Sequence, residues 1–213
     1  MSGATSDRVA GVLLAGGRAR RMGGGDKGLQ KLGGRPIIEF IVERARPQVS
    51  ALVINANGDP ERFSTLGLEV VADVIEGFAG PLAGVLTGLE WARAHAPACK
   101  FVASFACDAP FVPEDLVARL AHALFEQGAD MACAASAGRD HPVFGLWPVE
   151  LADDLRGALV DEDIRKVDVW TARYRLARVE FAAAPVDPFF NVNRPDDFAA
   201  AEAILVSPET SGI

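Results

Sequence analysis

Residues 9–27 read Val9-Ala10-Gly11-Val12-Leu13-Leu14-Ala15-Gly16-Gly17-Arg18-Ala19-Arg20-Arg21-Met22-Gly23-Gly24-Gly25-Asp26-Lys27. Val9 to Leu14 is apolar, free of charge and of strand length, and Gly16-Gly17 end it abruptly. The stretch from Ala15 to Arg35 is a glycine-rich connection carrying Arg18, Arg20, Arg21, Lys27, Lys31 and Arg35 against the single acid Asp26. A whole chain of net charge −8 that gathers its cations in one such loop is suited to hold a small polyanion there, although a solvated basic loop reads the same way from charge alone. Glycine leaves backbone N–H groups free to approach phosphate oxygens, and Arg21 and Lys27 bracket the run with two cations. No Walker pattern is present, because Lys27 is followed by Gly28, and the GxGxxG spelled by Gly23, Gly25 and Gly28 has no strand immediately before it.

Outward from this segment the chain alternates strands with helices. Pro36 suits the first turn of a helix whose Ile37, Ile38, Ile41 and Val42 recur at helical spacing. Ala51 to Ile54 predicts a second buried strand that closes at Asn55-Ala56-Asn57-Gly58, and Leu68 to Ala72 a third that ends at Asp73. Pro81 opens a helix with Leu82, Val85, Leu86 and Leu89 in one stripe, and Phe101 to Cys107 predicts a fully buried strand ending at Asp108. Pro113-Glu114-Asp115 starts a helix through Gln127 with acids at its positive end, and Ala129 to Ala134 is strand-like. Later, Ala177, Val179 and Phe181 alternate with Arg178 and Glu180 as in a half-exposed strand, and residues 193–197 open a last helix. This is an α/β chain with a mostly parallel central sheet flanked by helices. Ligands of such sheets collect at the carboxyl ends of the strands, where Gly16, Asn55, Asp73 and Asp108 all fall.

The bulk properties exclude other classes. Of 213 residues, 50% are hydrophobic and 23% charged, as expected of one globular domain over 1–213 with an ordered core at 7–206 and a frayed tail at 207–213. The negative total argues against nucleic-acid binding, and no apolar run is long enough to span a membrane. Cys99, Cys107 and Cys133 are odd in number and lack CxxC spacing, which indicates neither a disulfide framework nor a zinc site and favours a cytoplasmic location.

The pattern Leu14-Ala15-Gly16-Gly17, Arg21-Met22-Gly23-Gly24, Asp26-Lys27-Gly28-Leu29 resembles the signature of the molybdenum cofactor guanylyltransferases, a family of Rossmann-like nucleotidyltransferases. The similarity continues through residues 55–57, 80–84, 107–110, 139–142 and 191–193, in the same order. The resemblance implies transfer of GMP from GTP to molybdopterin phosphate, with release of pyrophosphate. It implies that Leu14, Ala15 and Gly16 present backbone to the nucleotide and that Lys27 contacts its phosphates. Asn55 and Asp73 would lie around the guanosine, Asp108 would bind Mg²⁺ (or Mn²⁺ in its place), and Arg21 would steady the β/γ-phosphates. Gly84, Arg139, His141, Arg165, Asn191 and Asn193 would face the pterin substrate. As partners it implies GTP and molybdopterin, with transient contacts to the molybdenum-insertion enzyme and recipient apo-molybdoenzymes. One departure is Arg194, where a small capping hydroxyl usually precedes Pro195.

Each residue also has a plainer explanation. Asp108 and Asp73 could be turn acids, Asn55 could serve a left-handed turn, and His141 could sit in a surface loop. Arg165 and Lys166 could be a solvated helix face, Cys107 a buried inert thiol, and the three tryptophans packing. The rival functions are a CTP-using sister enzyme on the same pterin, a sugar-phosphate nucleotidyltransferase, and a non-catalytic nucleotide-sensing or cofactor-delivery module. Asp26 before Lys27 and the doubled Gly16-Gly17 favour the guanylyl form.

Overall fold

A computed structural model describes residues 8–16, 26–77 and 80–206 of the chain. In order, the strands are β1 (Val9–Leu14), β2 (Lys31–Leu32), β3 (Arg35–Pro36), β4 (Ala51–Asn55), β5 (Glu69–Val71), β6 (Phe101–Ala106), β7 (Met131–Ser136), β8 (Arg139–Pro148) and β9 (Leu176–Phe181). The helices are α1 (Ile37–Ala45), α2 (Pro81–His95), α3 (Leu116–Glu126), α4 (Ala152–Val160), α5 (Val167–Thr171) and α6 (Pro195–Val206). Seven strands form one sheet in the order β5-β4-β1-β6-β8-β7-β9, while β2 and β3 pair apart as a small ribbon. All pairings in the sheet are parallel except those of β8, which runs against both β6 and β7.

Alternation along each buried strand sends side chains to two cores. Val9 and Leu13 of β1 face one side, with Ile37, Ile38 and Ile41 of α1 and Leu116 and Leu120 of α3. Ala10 and Val12 face the other, with Leu82, Val85 and Leu86 of α2, Leu155 of α4 and Trp170 of α5. Helices on both faces exclude water from the sheet, which is why these strands show almost no polar residue. Trp147 and Trp170 are fully buried 5.9 Å apart, whereas Trp91 is half-buried and donates to Glu69, so all three serve packing.

Two readings from sequence need correction. The helix expected from Pro113 begins at Leu116, because Pro113–Asp115 form a turn and the buried Gln48 side chain supplies the cap: its Oε1 accepts from Val117 N and its Nε2 donates to Pro113 O. The ten-residue antiparallel β8 was not expected at all. Its pairing with β7 shifts between Cys133↔Gly145 and Ala134↔His141, so residues 142–144 bulge out of the ladder. Pro142 lies in that bulge, where its missing N–H costs no ladder bond. Gly145 is required for a different reason, since a Cβ there would come 2.1 Å from the Trp147 ring.

The connection from β1 leads outward to β4 and β5, and the chain then crosses back to place β6 on the other side of β1. The strand order therefore reverses between β1 and β6. Carboxyl ends of strands splay into a crevice at such a switch point.

Candidate active site

That crevice is bounded on one side by Leu14, Ala15 and Gly16, which leave the end of β1, and on the other by Asp108, two residues beyond β6. Ala15 N donates to Asn55 O at 2.9 Å, so the turn after β1 is tied to the end of β4 and the exposed Gly16 is held at the edge.

Asn55 ends β4 in extended backbone opposite Leu14, which excludes the left-handed-turn explanation. Its Nδ2 donates to Asp73 Oδ1 at 2.9 Å, and Asn57 Nδ2 donates to Asp73 Oδ2 at 2.7 Å. Asp73 N completes the exchange by donating to Asn57 Oδ1 at 2.9 Å. The two predicted guanosine contacts are thus brought together, and Asn57 joins them. Asn55 Oδ1 points between Gly16 and Gly84: a Cβ on Gly84 would come 2.4 Å from it, and 2.6 Å from Leu14 Cδ2. Gly84 is buried in α2 and lets the helix backbone approach this edge, so the geometry gives it a packing role against Asn55 and Leu14.

Lys27 reaches the same edge from the start of a short 3₁₀ turn. Its Nζ donates to Asn193 Oδ1 at 2.5 Å and lies 3.7 Å from Asp108 Oδ2. Gly28 packs so tightly that a Cβ would meet the Cys107 Cβ and the Ile38 Cβ at 3.3 Å, which seats Lys27 directly over the end of β6. Burial pushes the Asp108 carboxyl above its ordinary value, with Lys27 only partly offsetting the effect. The neighbouring Cys107 thiol is pushed up to about 12 by burial and by Asp108, and it is an inert core group. Among the described residues no set of three or more His, Cys, Asp or Glu is arranged to hold a metal. A desolvated single carboxylate whose charge Lys27 offsets only in part still fits Mg²⁺, which takes one or two protein carboxylates and fills its octahedron with phosphate oxygens and water.

The segment following β9 crosses this edge. Val192 N donates to Asp108 O at 2.8 Å, so Asn191 and Asn193 flank a residue anchored to the metal-candidate strand. Asn193 contacts Lys27, whereas Asn191 is exposed. Asp197 Oδ2 accepts from both Asn193 N and Arg194 N at 2.8 Å, which answers the doubt raised by Arg194: the acid of the first turn of α6 caps the helix in place of a hydroxyl.

Farther along, β8 runs opposite to β6, so its first residues project past the carboxyl ends of the parallel strands. Arg139 is exposed after the tight turn at Ala137-Gly138, and His141 is half-buried with its ring 4.6 Å from that of Phe189. His141 Nε2 lies 2.7 Å from Ser136 Oγ, and Ser136 Oγ donates to Asp187 Oδ1 at 2.8 Å. Burial holds the imidazole below its ordinary pKa while Asp187 pulls it the other way. Ser136 and Asp187 had no signal in the sequence, because the contact that joins them spans 51 residues. Arg165 lies in an exposed loop whose backbone O approaches Gly80, and its guanidinium pairs with Asp163. Arg21 lies outside the described residues.

Residues 11–176 match the family model described as MobA-like NTP transferase domain. The chain belongs to this family. It is 54% identical over 204 residues to the molybdenum cofactor guanylyltransferase of Bradyrhizobium sp. (strain ORS 278), covering 96% of each chain. To the enzyme of the same name from Rhodopseudomonas palustris (strain BisB5) it is 55% identical over 195 residues, 92% of this chain and 93% of that one. Among solved structures, molybdopterin-guanine dinucleotide biosynthesis protein A from Archaeoglobus fulgidus superposes with a TM-score of 0.70 at 25% identity, over 92% of this chain and 98% of that one. A CMP:2-keto-3-deoxy-manno-octonic acid synthetase complexed with CTP also reaches 0.70, at 14% identity over 93% of this chain and 98% of that one, and shares the fold. The MobA-like fold accounts for the mostly parallel sheet and for the crevice at β1 and β6.

Proposed function

We propose that this chain transfers GMP from GTP to the terminal phosphate of molybdopterin, giving the guanine dinucleotide form of the cofactor and pyrophosphate. The observation that carries this reading is the convergence of Lys27, Asp108 and Asn193 at the β1/β6 switch point, in a chain more than half identical to enzymes named for that transfer. An oxygen of the acceptor phosphate attacks the α-phosphorus of GTP. One P–O bond forms as the bond to the β-phosphate oxygen breaks, and the electron pair leaves with pyrophosphate. A phosphate is already largely ionised near neutral pH, so the step requires no general base. It requires charge neutralisation and alignment of two anions.

In this reading the backbone of Leu14, Ala15 and Gly16 receives the nucleotide, and Asn55 and Asp73, bonded to each other and with Asp73 braced by Asn57, present a rigid polar wall to guanosine. Lys27 exchanges its contact with Asn193 for a phosphate oxygen. Asp108 would hold Mg²⁺, whose chemistry is to neutralise charge on the phosphate groups. His141, Arg139, Asn191 and Arg165 belong to the acceptor side, and Arg21 to the phosphates. The enzyme works in the cytoplasm, with molybdopterin passed to it and dinucleotide passed on by transient protein contacts. No helix of the described residues is long and apolar enough to cross a membrane.

The experiment is a calorimetric titration with GTP, CTP and ATP in Mg²⁺, followed by pyrophosphate release on adding molybdopterin. Selective binding of GTP and magnesium-dependent release are expected. Preference for CTP would move the chain to the cytidylyl reaction, and nucleotide binding with no release would leave a delivery module.

A further inference from the structure

At the acceptor end of the crevice His141 is hydrogen-bonded in series to Ser136 and Asp187, two residues to which the reaction assigns no part. Ser136, the last residue of β7, is fully buried, and its hydroxyl donates to Asp187 Oδ1 at 2.8 Å. Asp187 Oδ1 also accepts from Phe189 N at 3.0 Å, so the carboxylate is fixed by its own loop. A hydroxyl has one proton. With that proton committed to the carboxylate, the 2.7 Å contact between Ser136 Oγ and His141 Nε2 requires the histidine to be the donor. The neutral ring then carries its hydrogen on Nε2, and Nδ1 keeps a lone pair. Phe189 fixes the ring plane at 4.6 Å, and among the described residues none bonds Nδ1.

We propose that Asp187 and Ser136 are positioning residues for the acceptor substrate: they hold His141 as the Nε2–H tautomer, so that Nδ1 offers a hydrogen-bond acceptor to an N–H or O–H of the second substrate. The proposal rests on the reading that the acceptor enters at this end of the sheet. The same loop continues through Val192 N, which donates to Asp108 O, to Asn193, which holds Lys27. One segment therefore orients the acceptor-side imidazole and the nucleotide-side cation. The charged groups facing the ring are Asp187, Arg139, Asp140 and Glu180, and burial keeps it neutral among them.

The test combines nitrogen NMR with kinetics. The chain has three histidines, His95, His122 and His141, so the imidazole signals are assignable. In the unmodified protein at pH 7.5, His141 is expected as the Nε2–H tautomer. Ser136→Ala should give a tautomer mixture and raise KM for molybdopterin about three- to tenfold, as for loss of one neutral hydrogen bond, with KM for GTP unchanged. Asp187→Ala should do the same. Asp187→Asn, which retains an oxygen for Ser136 and for Phe189 N, should restore both readouts. A His141 carrying its hydrogen on Nδ1 in the unmodified protein would overturn the proposal. So would a Ser136→Ala enzyme with a released tautomer and unchanged KM for molybdopterin, or with KM for GTP raised equally. An unmodified enzyme that holds the tautomer and binds GTP but transfers nothing would instead overturn the guanylyl-transfer reading, and the acceptor role with it.

Discussion

The Lys27 ammonium lies 2.5 Å from the Asn193 side-chain oxygen, joining residues 166 positions apart in the chain. The contact aims a flexible side chain at the carboxyl edge before any phosphate arrives. Lys27→Ala removes the cation as well as its aim, and a hydrogen bond involving a charge contributes roughly 1.5–3 kcal/mol. KM for GTP is therefore expected to rise by at least about tenfold. Asn193→Ala leaves the charge and loosens only its placement, so its effect on KM for GTP should be smaller. Steady-state kinetics on both variants checks the order.

Asp108 separates function from stability. Its carboxyl is raised by burial above the value it has in the unfolded chain. The folded state therefore binds the proton more tightly, and the stabilisation from that proton is full at low pH and lost as pH rises through the folded pKa. Above that range the ionised carboxylate opposes folding. Asp108→Asn should consequently melt no lower than the unmodified protein at pH 7.5, while turnover falls by about a hundredfold or more for want of the charge beside the phosphates. Calorimetric melting with a pyrophosphate-release assay reads both. A variant with full turnover would remove Asp108 from the chemistry.

Gly84 predicts the opposite combination. A Cβ there would sit 2.4 Å from Asn55 Oδ1 and 2.6 Å from Leu14 Cδ2, so either α2 or the ends of β1 and β4 must shift. Gly84→Ala is expected to cost about 1–3 kcal/mol in stability by overpacking. Because the displaced atoms line the crevice, KM for GTP should rise with it. Chemical denaturation and nucleotide titration of one preparation would show whether the losses travel together.

The turn between β7 and β8 offers a gain. Ala137 and Gly138 both have positive φ, 47° and 75°, in a two-residue hairpin that pairs Ser136 with Arg139. Alanine is strained there, whereas Asn-Gly is favoured in such turns. Ala137→Asn is expected to stabilise the fold by about 0.5–1 kcal/mol and to leave transfer unchanged. Thermal melting decides the sign.

Much of the fold was legible because its signals are local. The charge-free runs at Val9–Leu14 and Phe101–Ala106, the stripe on α2 and the alternation in Leu176–Phe181 each depend on neighbours within a few residues. Asn55, Asp73 and Asp108 were legible as candidate site residues for the same reason, since each directly follows or ends an apolar run. Strand β8 was not, because Pro142 and Gly145 break its pattern and only the bulge against β7 and the Trp147 ring explain them.

By itself the sequence determined the six mutually parallel strands of the sheet and the helices α1, α2, α3 and α6, and that the polar residues punctuating them fall at the carboxyl ends, because hydrophobic period and turn chemistry act over short separations. The tertiary structure alone decided that β8 runs antiparallel, that Asn193 holds Lys27, that Gln48 caps α3, and that Asp187 orients His141 through Ser136. Those pairings join groups separated by tens to hundreds of residues. They exist only once burial has brought the segments together, since a hydrogen bond becomes selective for its partner when water no longer competes for it.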